Sequence, residues 1–138
     1  MTGRLPTGLR GLSLWGPPIV WMGLIYHLSS HPLPAATPSA PDWLMHGIAY
    51  GVLAALLFRA AAGGSWTGGA VPPARWLAVF AIAALYGVSD EWHQSRVPGR
   101  TPEVRDVAAD AAGAAFVRGA LVLIRMGVVG PGRSRRGA

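Results

Sequence analysis

The chain has no cysteine and no lysine, and it has only six carboxylates among its 138 residues. Without cysteine, disulfides, thiolate metal sites and cysteine nucleophiles are excluded. The twelve basic residues are all arginine and give a net charge of +6. These arginines are scattered between apolar segments and the termini, with no basic helix or patch of interleaved aromatics. We therefore expect no nucleic-acid partner.

Charged residues are also few compared with apolar residues. Charged residues make up 13% of the chain and apolar residues 51%, with a mean hydropathy of +0.36. Soluble domains average about 25% charged residues, and their helices need a polar face, which residues 76–88 do not offer. A compact soluble helical bundle is the alternative. We predict an integral membrane protein.

Four apolar segments, at about 11–30, 43–62, 70–89 and 107–128, each approach the roughly 20 residues that a helix needs to cross a bilayer. The fold class predicted is all-α, a polytopic membrane protein of about four transmembrane helices in a small bundle, with residues 1–138 as one domain. Pro17 and Pro18 should kink or restart the first helix. That segment could also be a cleaved signal peptide, but we favour a retained helix. The basic tail, 129–138, is expected to be disordered.

The arginines also predict an orientation. Eight lie at the N-terminus, in the connection 59–75 and at the C-terminal end, whereas three lie in the connection 89–106, where carboxylates offset them. Arginine is enriched in cytoplasmic connections. We therefore predict that both termini are cytoplasmic and that 89–106 is external.

The stretch from Ser89 to Gly113 contains five of the six carboxylates, between two apolar segments. Ionisable groups beside hydrocarbon are costly, so they usually pair, line a wet cavity or do chemistry. With the predicted orientation, polar groups of all four segments fall in the outer half of the membrane. These groups are Ser29, Ser30 and His31; Asp42, His46 and Tyr50; residues 90–94; and Asp106 and Asp110.

Helical spacing places many of these groups on common faces. Asp42, His46 and Tyr50 are four residues apart and share one face of the second helix. On the third helix, Trp92 should point away from the neighbouring polar residues. On the fourth, small residues around Gly113 should allow another helix to approach closely.

Roles follow from position and chemistry. His46 and Glu91 are the catalytic candidates, as groups suited to proton transfer or ligand contact. A structural alternative is that Arg96, Arg100 and Arg105 neutralise the carboxylates in an ion-pair network. The candidate ligand-binding residues are Asp42, Tyr50, Asp90, His93, Gln94, Arg100, Asp106 and Asp110.

Sequence motifs do not assign a metal or a cofactor. His46, Glu91, His93 and Asp106 could supply nitrogen and oxygen ligands, but no His-Glu-x-x-His spacing is present. Glu91 and His93 would also lie about 160° apart on a regular helix. A serine hydrolase is not supported either, because the Gly-x-Ser-x-Gly elbow is missing. We expect no metal ligand and no cofactor.

Three blocks of residues resemble one family. They are Asp42 with His46, Tyr50 and Leu53; residues 90–94 followed by 97–100; and Asp106 with Asp110 and Gly113, to which Ser29 and Ser30 add. Together, over about residues 28–116, they resemble the VanZ-like membrane proteins, named for a teicoplanin-resistance accessory protein. Two positions depart from that family's pattern: Trp43 replaces a common lysine and Asp110 a common asparagine.

The resemblance implies a multi-pass protein of the bacterial cytoplasmic membrane with a role in the cell envelope, including antibiotic resistance in some members. The arginines suit a phosphorylated or glycosylated envelope lipid as the ligand, with membrane lipids as partners. Whether the protein is an enzyme acting on that lipid remains open at this stage, as does its oligomeric state. The alternative is a small proton-coupled transporter or a non-catalytic accessory protein.

Overall fold

The computed structural model describes residues 6–32, 41–66 and 71–127, and the predicted disorder of 129–138 lies outside them. The described part contains four α-helices and no strand. In chain order these are α1 (Thr7–Ser29), α2 (Asp42–Ala61), α3 (Pro73–Gln94) and α4 (Val104–Arg125). The fold is therefore all-α, a small four-helix bundle.

Helix α1 differs from its prediction. It begins at Thr7 and runs without interruption through Pro17 and Pro18 to Ser29, so the proline pair does not restart it. Interior proline removes a backbone hydrogen bond, a loss that neighbouring helices can offset. Pro18 is among the most deeply buried side chains of the bundle, and its ring packs where the helix meets its neighbours.

The other boundaries shift by a few residues. Helix α3 starts at Pro73, where proline's fixed φ suits the first turn. It extends past the apolar segment, which ends at 89, and includes residues 90–94, as their placement at the end of the third helix predicted. The connection to α4 is 95–103. Trp92 points outward with 65% of its surface exposed, which confirms its predicted direction.

Helices α2 and α4 share the most extensive interface of the bundle. They approach so closely at Gly113 that a Cβ added there would strike the carbonyl oxygen of Gly47 and lie 3.1 Å from the backbone nitrogen of Gly51. Small residues allow this kind of backbone contact between helices. The close approach expected around Gly113 is thus present.

The core lies between the helices on the side of α2 that faces the bundle. Two side-chain hydrogen bonds tie α1 into it: Trp21 Nε1 donates to Ala49 O at 2.9 Å, and Tyr86 Oη donates to Met22 O at 2.6 Å. Each satisfies a polar group at a half-buried position. The buried apolar cluster consists of Ile25, Tyr50, Leu53, Ala54, Leu57, Val79, Ala83 and Ala114.

Two of the described helices, Asp42–Ala61 and Val104–Ile124, are long and apolar enough to cross a membrane, with mean hydropathies of 1.5 and 1.7. Only 11% of the α4 segment is buried inside the bundle. Large apolar side chains such as Phe116 of α4 and Leu85 of α3 are 75% and 69% exposed. Apolar surface of this kind marks contact with lipid or another protein.

We predict that Gly113→Ala destabilises the bundle. A single methyl group meets backbone atoms of α2, which cannot rotate aside as a side chain can, so the helices must separate. Overpacking costs about 1–3 kcal/mol, and thermal unfolding in detergent should register it. Gly119→Ala is the matched control on the same helix, because its Cβ would have nothing within 4 Å. Equal melting temperatures for the two variants would contradict the contact.

Candidate functional site

A group of buried polar side chains, here called the polar site, lies at the end of the bundle where α2 and α4 begin and α3 ends. Removing so many polar groups from water costs free energy unless they are paired, so a cluster of this kind usually has a structural or functional role. The polar site draws on three helices directly, and α1 reaches it through its C-terminal residues. Its buried members are His46 at 8% exposure, Asp90 at 4%, Glu91 at 7%, Gln94 at 2%, Asp106 at 3% and Asp110 at 1%.

His46 is the centre of the polar site. Its Nδ1 donates a hydrogen bond to Asp110 Oδ1 at 3.2 Å and lies 3.9 Å from Glu91 Oε1. Helix α2 therefore presents an imidazole between carboxylates of α3 and α4. His46 and Glu91, the two catalytic candidates, thus lie next to each other on adjoining helices, but at 3.9 Å they are not hydrogen-bonded to each other.

Tyr50 lies one turn below His46, and their rings are parallel at a centroid distance of 6.2 Å. The Tyr50 hydroxyl and Asp110 Oδ2 are buried without a hydrogen-bond partner among the described residues. On α3, Gln94 Nε2 donates to Asp90 Oδ2 at 3.0 Å. The amide therefore partners a carboxylate of its own helix.

His93 does not join the other candidates. Its ring stacks on Tyr26 at a centroid distance of 4.4 Å, and its Nε2 is hydrogen-bonded to Ser30 Oγ at 2.9 Å. Because the Ser30 hydroxyl already donates to the Tyr26 carbonyl, the imidazole is the donor in this bond. His93 fastens α3 to the end of α1, on the opposite side of α3 from Glu91.

Arg100 connects three parts of the molecule. Its Nε donates to His31 O at 3.1 Å and its Nη2 to Leu28 O at 3.2 Å, at the C-terminal end of α1. Its Nη1 lies 3.7 Å from Asp42 Oδ2 and has no hydrogen-bond partner in the described part of the chain. The guanidinium therefore donates hydrogen bonds to carbonyl groups at the end of α1 that have no partner within the helix. Its remaining NH₂ group lies beside a carboxylate.

The proposed ion-pair network of arginines is largely absent among the described residues. Arg96 lies over the Trp92 ring at 3.3 Å, and Arg105 lies 5.2 Å from the Trp43 ring. Among the described residues, only Arg100 pairs with a carboxylate within 4.0 Å. Both other arginines prefer the aromatic faces at the surface, where their charge is stabilised without desolvation. Within the described ranges, the buried carboxylates therefore have no arginine within 4.0 Å.

Asp42, His46 and Asp106 form a second grouping within the polar site. One ligand atom from each lies within 4.8 Å of the others. Asp106 is buried, and among the described residues its side chain makes no hydrogen bond and no ion pair within 4.0 Å. Two carboxylates and an imidazole are ligands that divalent ions accept, although no sequence motif had assigned a metal here.

Sequence reasoning missed two contributors. Ser30 was noted without a role, yet it holds His93 in place. The backbone N–H of Glu103 donates to Glu91 Oε2 at 3.0 Å, which anchors the start of α4 to α3. A backbone donor has no signal in residue identity, so only the fold could reveal this bond.

Two apolar grooves run along the outside of the bundle. One of about 870 Å³ lies between α3 and α4 and includes Trp76, Phe80 and Arg118. The other, about 610 Å³, lies between α2 and α4, where Trp43, Gly47 and Phe116 line it. The second, here called the α2–α4 groove, begins next to the polar site, because Gly47 follows His46 directly along α2.

Comparison with known proteins identifies a family and no individual relative. The sequence model of the VanZ/LLP1 family matches residues 35–125, which contain α2, α3, α4 and the whole set of predicted site residues. Searches of curated proteins and of solved structures gave no match. The matched span exceeds half of the chain and includes two helices able to cross a membrane. The chain belongs to the VanZ/LLP1 family and is a VanZ-like membrane protein.

Proposed function

We propose that this protein is a multi-pass protein of the bacterial cytoplasmic membrane whose polar site faces the extracytoplasmic leaflet and binds a phosphorylated envelope lipid. The observation that carries the proposal is Arg100. Its side chain is 8% exposed, and its Nη1, which lies 3.7 Å from Asp42 Oδ2, has no hydrogen-bond partner among the described residues. A guanidinium group that makes only this long ion pair can still donate to phosphate oxygens.

The α2–α4 groove supports a lipid rather than a free phosphate. Its lining is apolar from Trp43 near the polar site to Val117 farther along α4. Arg105 lies over Trp43 at that end, as basic and aromatic residues do at the headgroup level of membranes. A headgroup at the polar site could thus extend an acyl chain along the groove.

Transport is the less favoured function. A proton-coupled transporter needs polar groups along a path through the membrane. Beyond Tyr50 the buried residues between the helices are apolar, including Leu53, Leu57 and Val79. Arg118, which could have lined such a path, is exposed and lies 5.9 Å from the Trp76 ring. These features favour a one-sided site.

Within that site, His46 and Glu91 are the groups we assign to the functional step. We predict that Glu91→Gln and His46→Ala each abolish function while the protein still folds and inserts. Glu91→Gln keeps the volume and the bond from Glu103 N–H, so it tests charge rather than packing. A glycopeptide-susceptibility or envelope-stress assay is the readout. Groups that serve one step should be non-additive, with the double variant no worse than either single one.

Glu103→Gln is the control for that experiment, because Glu103 is exposed and offers only its backbone to the polar site. It should keep full function. Full function in both site variants as well would show that the His46–Glu91 pair is structural.

We predict that Arg100→Gln weakens binding of phosphatidylglycerol at least about tenfold, since hydrogen bonds to charged groups contribute about 1.5–3 kcal/mol. Native mass spectrometry of the detergent-solubilised protein, with phosphatidylcholine as the competing lipid, measures it. Arg96→Gln is the matched control, because Arg96 lies on Trp92 away from the polar site. An equal loss in both variants would mean that surface charge alone attracts the lipid.

Orientation can be tested separately because the native chain has no thiol. We predict that Ser95→Cys, an exposed position in the connection 95–103, reacts with an impermeant maleimide in intact cells. Ser134→Cys, in the arginine-rich C-terminal segment, should react only after the membrane is permeabilised. The opposite pattern would place the polar site in the cytoplasmic leaflet.

A further inference from the structure

We infer that Asp42, His46 and Asp106 form a binding site for a divalent metal ion, of the kind that Mn²⁺ or Zn²⁺ fills. The ligand atoms of these three residues lie within 4.8 Å of one another, on adjoining turns of α2 and α4. A metal ion between such atoms gives coordination distances of about 2.0–2.2 Å after small side-chain adjustments. The inference concerns the residues of the polar site and does not depend on its lipid ligand.

Asp106 is only 3% exposed, yet among the described residues its side chain makes no hydrogen bond and no ion pair within 4.0 Å. Buried carboxylates are normally paired, hydrogen-bonded or bound to a metal. One of its oxygens lies within 4.8 Å of the ligand atoms of Asp42 and His46, so a cation between these atoms would supply the interaction that Asp106 lacks.

The charge of the polar site also favours a cation. Four carboxylates, Asp90, Glu91, Asp106 and Asp110, are buried in this site together with the imidazole of His46, and within the described ranges none of them has an arginine within 4.0 Å. One buried oxygen of Glu91 and one of Asp110 are also without hydrogen-bond partners. A protonated His46 alone would balance one charge of the four. A divalent cation would supply most of the missing positive charge at the place where it is needed.

The ring of His46 is oriented as that of a metal ligand would be. In the neutral tautomer with the proton on Nδ1, which lies 3.2 Å from Asp110 Oδ1, Nε2 has a lone pair, and it makes no hydrogen bond among the described residues. Metal-binding histidines commonly donate their other ring N–H to a carboxylate in this way, which fixes the ring and raises its basicity. Asp110 then acts as a positioning residue for the ligand.

The chemistry of the set selects the ion. Oxygen ligands suit Mg²⁺, Ca²⁺ and Mn²⁺, whereas an imidazole shifts the preference toward Mn²⁺ and Zn²⁺. Three protein ligands leave coordination positions open, and such positions accept water or a phosphate oxygen. The site therefore offers a way for a carboxylate-rich pocket to hold an anionic headgroup that its own charge would repel.

The test is metal binding by the purified full-length protein in a neutral detergent, without added lipid. After removal of metals by chelator, titration with Mn²⁺ should show one saturable site per chain by the loss of the free-ion electron paramagnetic resonance signal. Zn²⁺ should displace the bound ion. Binding should also raise the melting temperature, because the ion binds the folded state.

Asp106→Asn should weaken Mn²⁺ binding at least about tenfold, on the scale known for changes around metal sites, and remove the thermal shift. Its near-identical volume limits effects on folding. Glu103→Gln, the exposed carboxylate outside the polar site, is the matched control and should bind like the parent. Absence of a saturable site, or equal binding by Asp106→Asn and the parent, overturns the proposal. Failure of metal binding would leave the lipid proposal standing, because the Arg100→Gln experiment tests phosphatidylglycerol binding separately.

Discussion

The contact of α2 with α4 at Gly113 determines the geometry of the polar site. At this point the helices meet backbone to backbone, with Gly47 and Gly51 opposite. Side chains one turn nearer the end of the bundle are consequently brought within bonding range, which is why His46 reaches Asp110 at 3.2 Å. A bundle with ordinary helix spacing of about 8–10 Å filled by larger side chains would leave these two groups apart.

The close approach of the helices also brings several carboxylates together in the interior, and the described residues compensate their charges only in part. Hydrogen bonds from Gln94 and from the backbone of Glu103 satisfy individual oxygens of Asp90 and Glu91, but they carry no formal charge. Arg96 and Arg105 lie on tryptophan faces instead of entering the cluster. The polar site thus concentrates buried carboxylates, while Arg96 and Arg105 stay at the surface and only Arg100, among the described arginines, pairs with a carboxylate at its edge.

Much of this could be predicted from the sequence, for reasons that differ by residue. Asp42, His46 and Tyr50 were placed on one face by their spacing of four, and Trp92 was placed outward by the same geometry. The number of helices followed from apolar segments of membrane-spanning length, and the family from three blocks of residues.

The hydrogen-bond partners of individual side chains could not be predicted. Arg100 bonds to carbonyl groups of α1 that lie far away in sequence, and proximity of that kind depends on packing. The burial of Pro18 in the uninterrupted helix α1 likewise depends on neighbouring helices.

Arg100 also links the polar site mechanically to α1. The same guanidinium that faces Asp42 holds the last carbonyl groups of α1 through two hydrogen bonds. An anion bound through Nη1 alone would leave those bonds intact, whereas one that also engaged Nε or Nη2 would compete with the α1 carbonyl groups for the same donors. In the second case, by linkage, whatever holds α1 more firmly against the bundle would make the anion bind less tightly. The packing of the C-terminal end of α1 would then change the affinity for the anion, although the residues of α1 need not contact it.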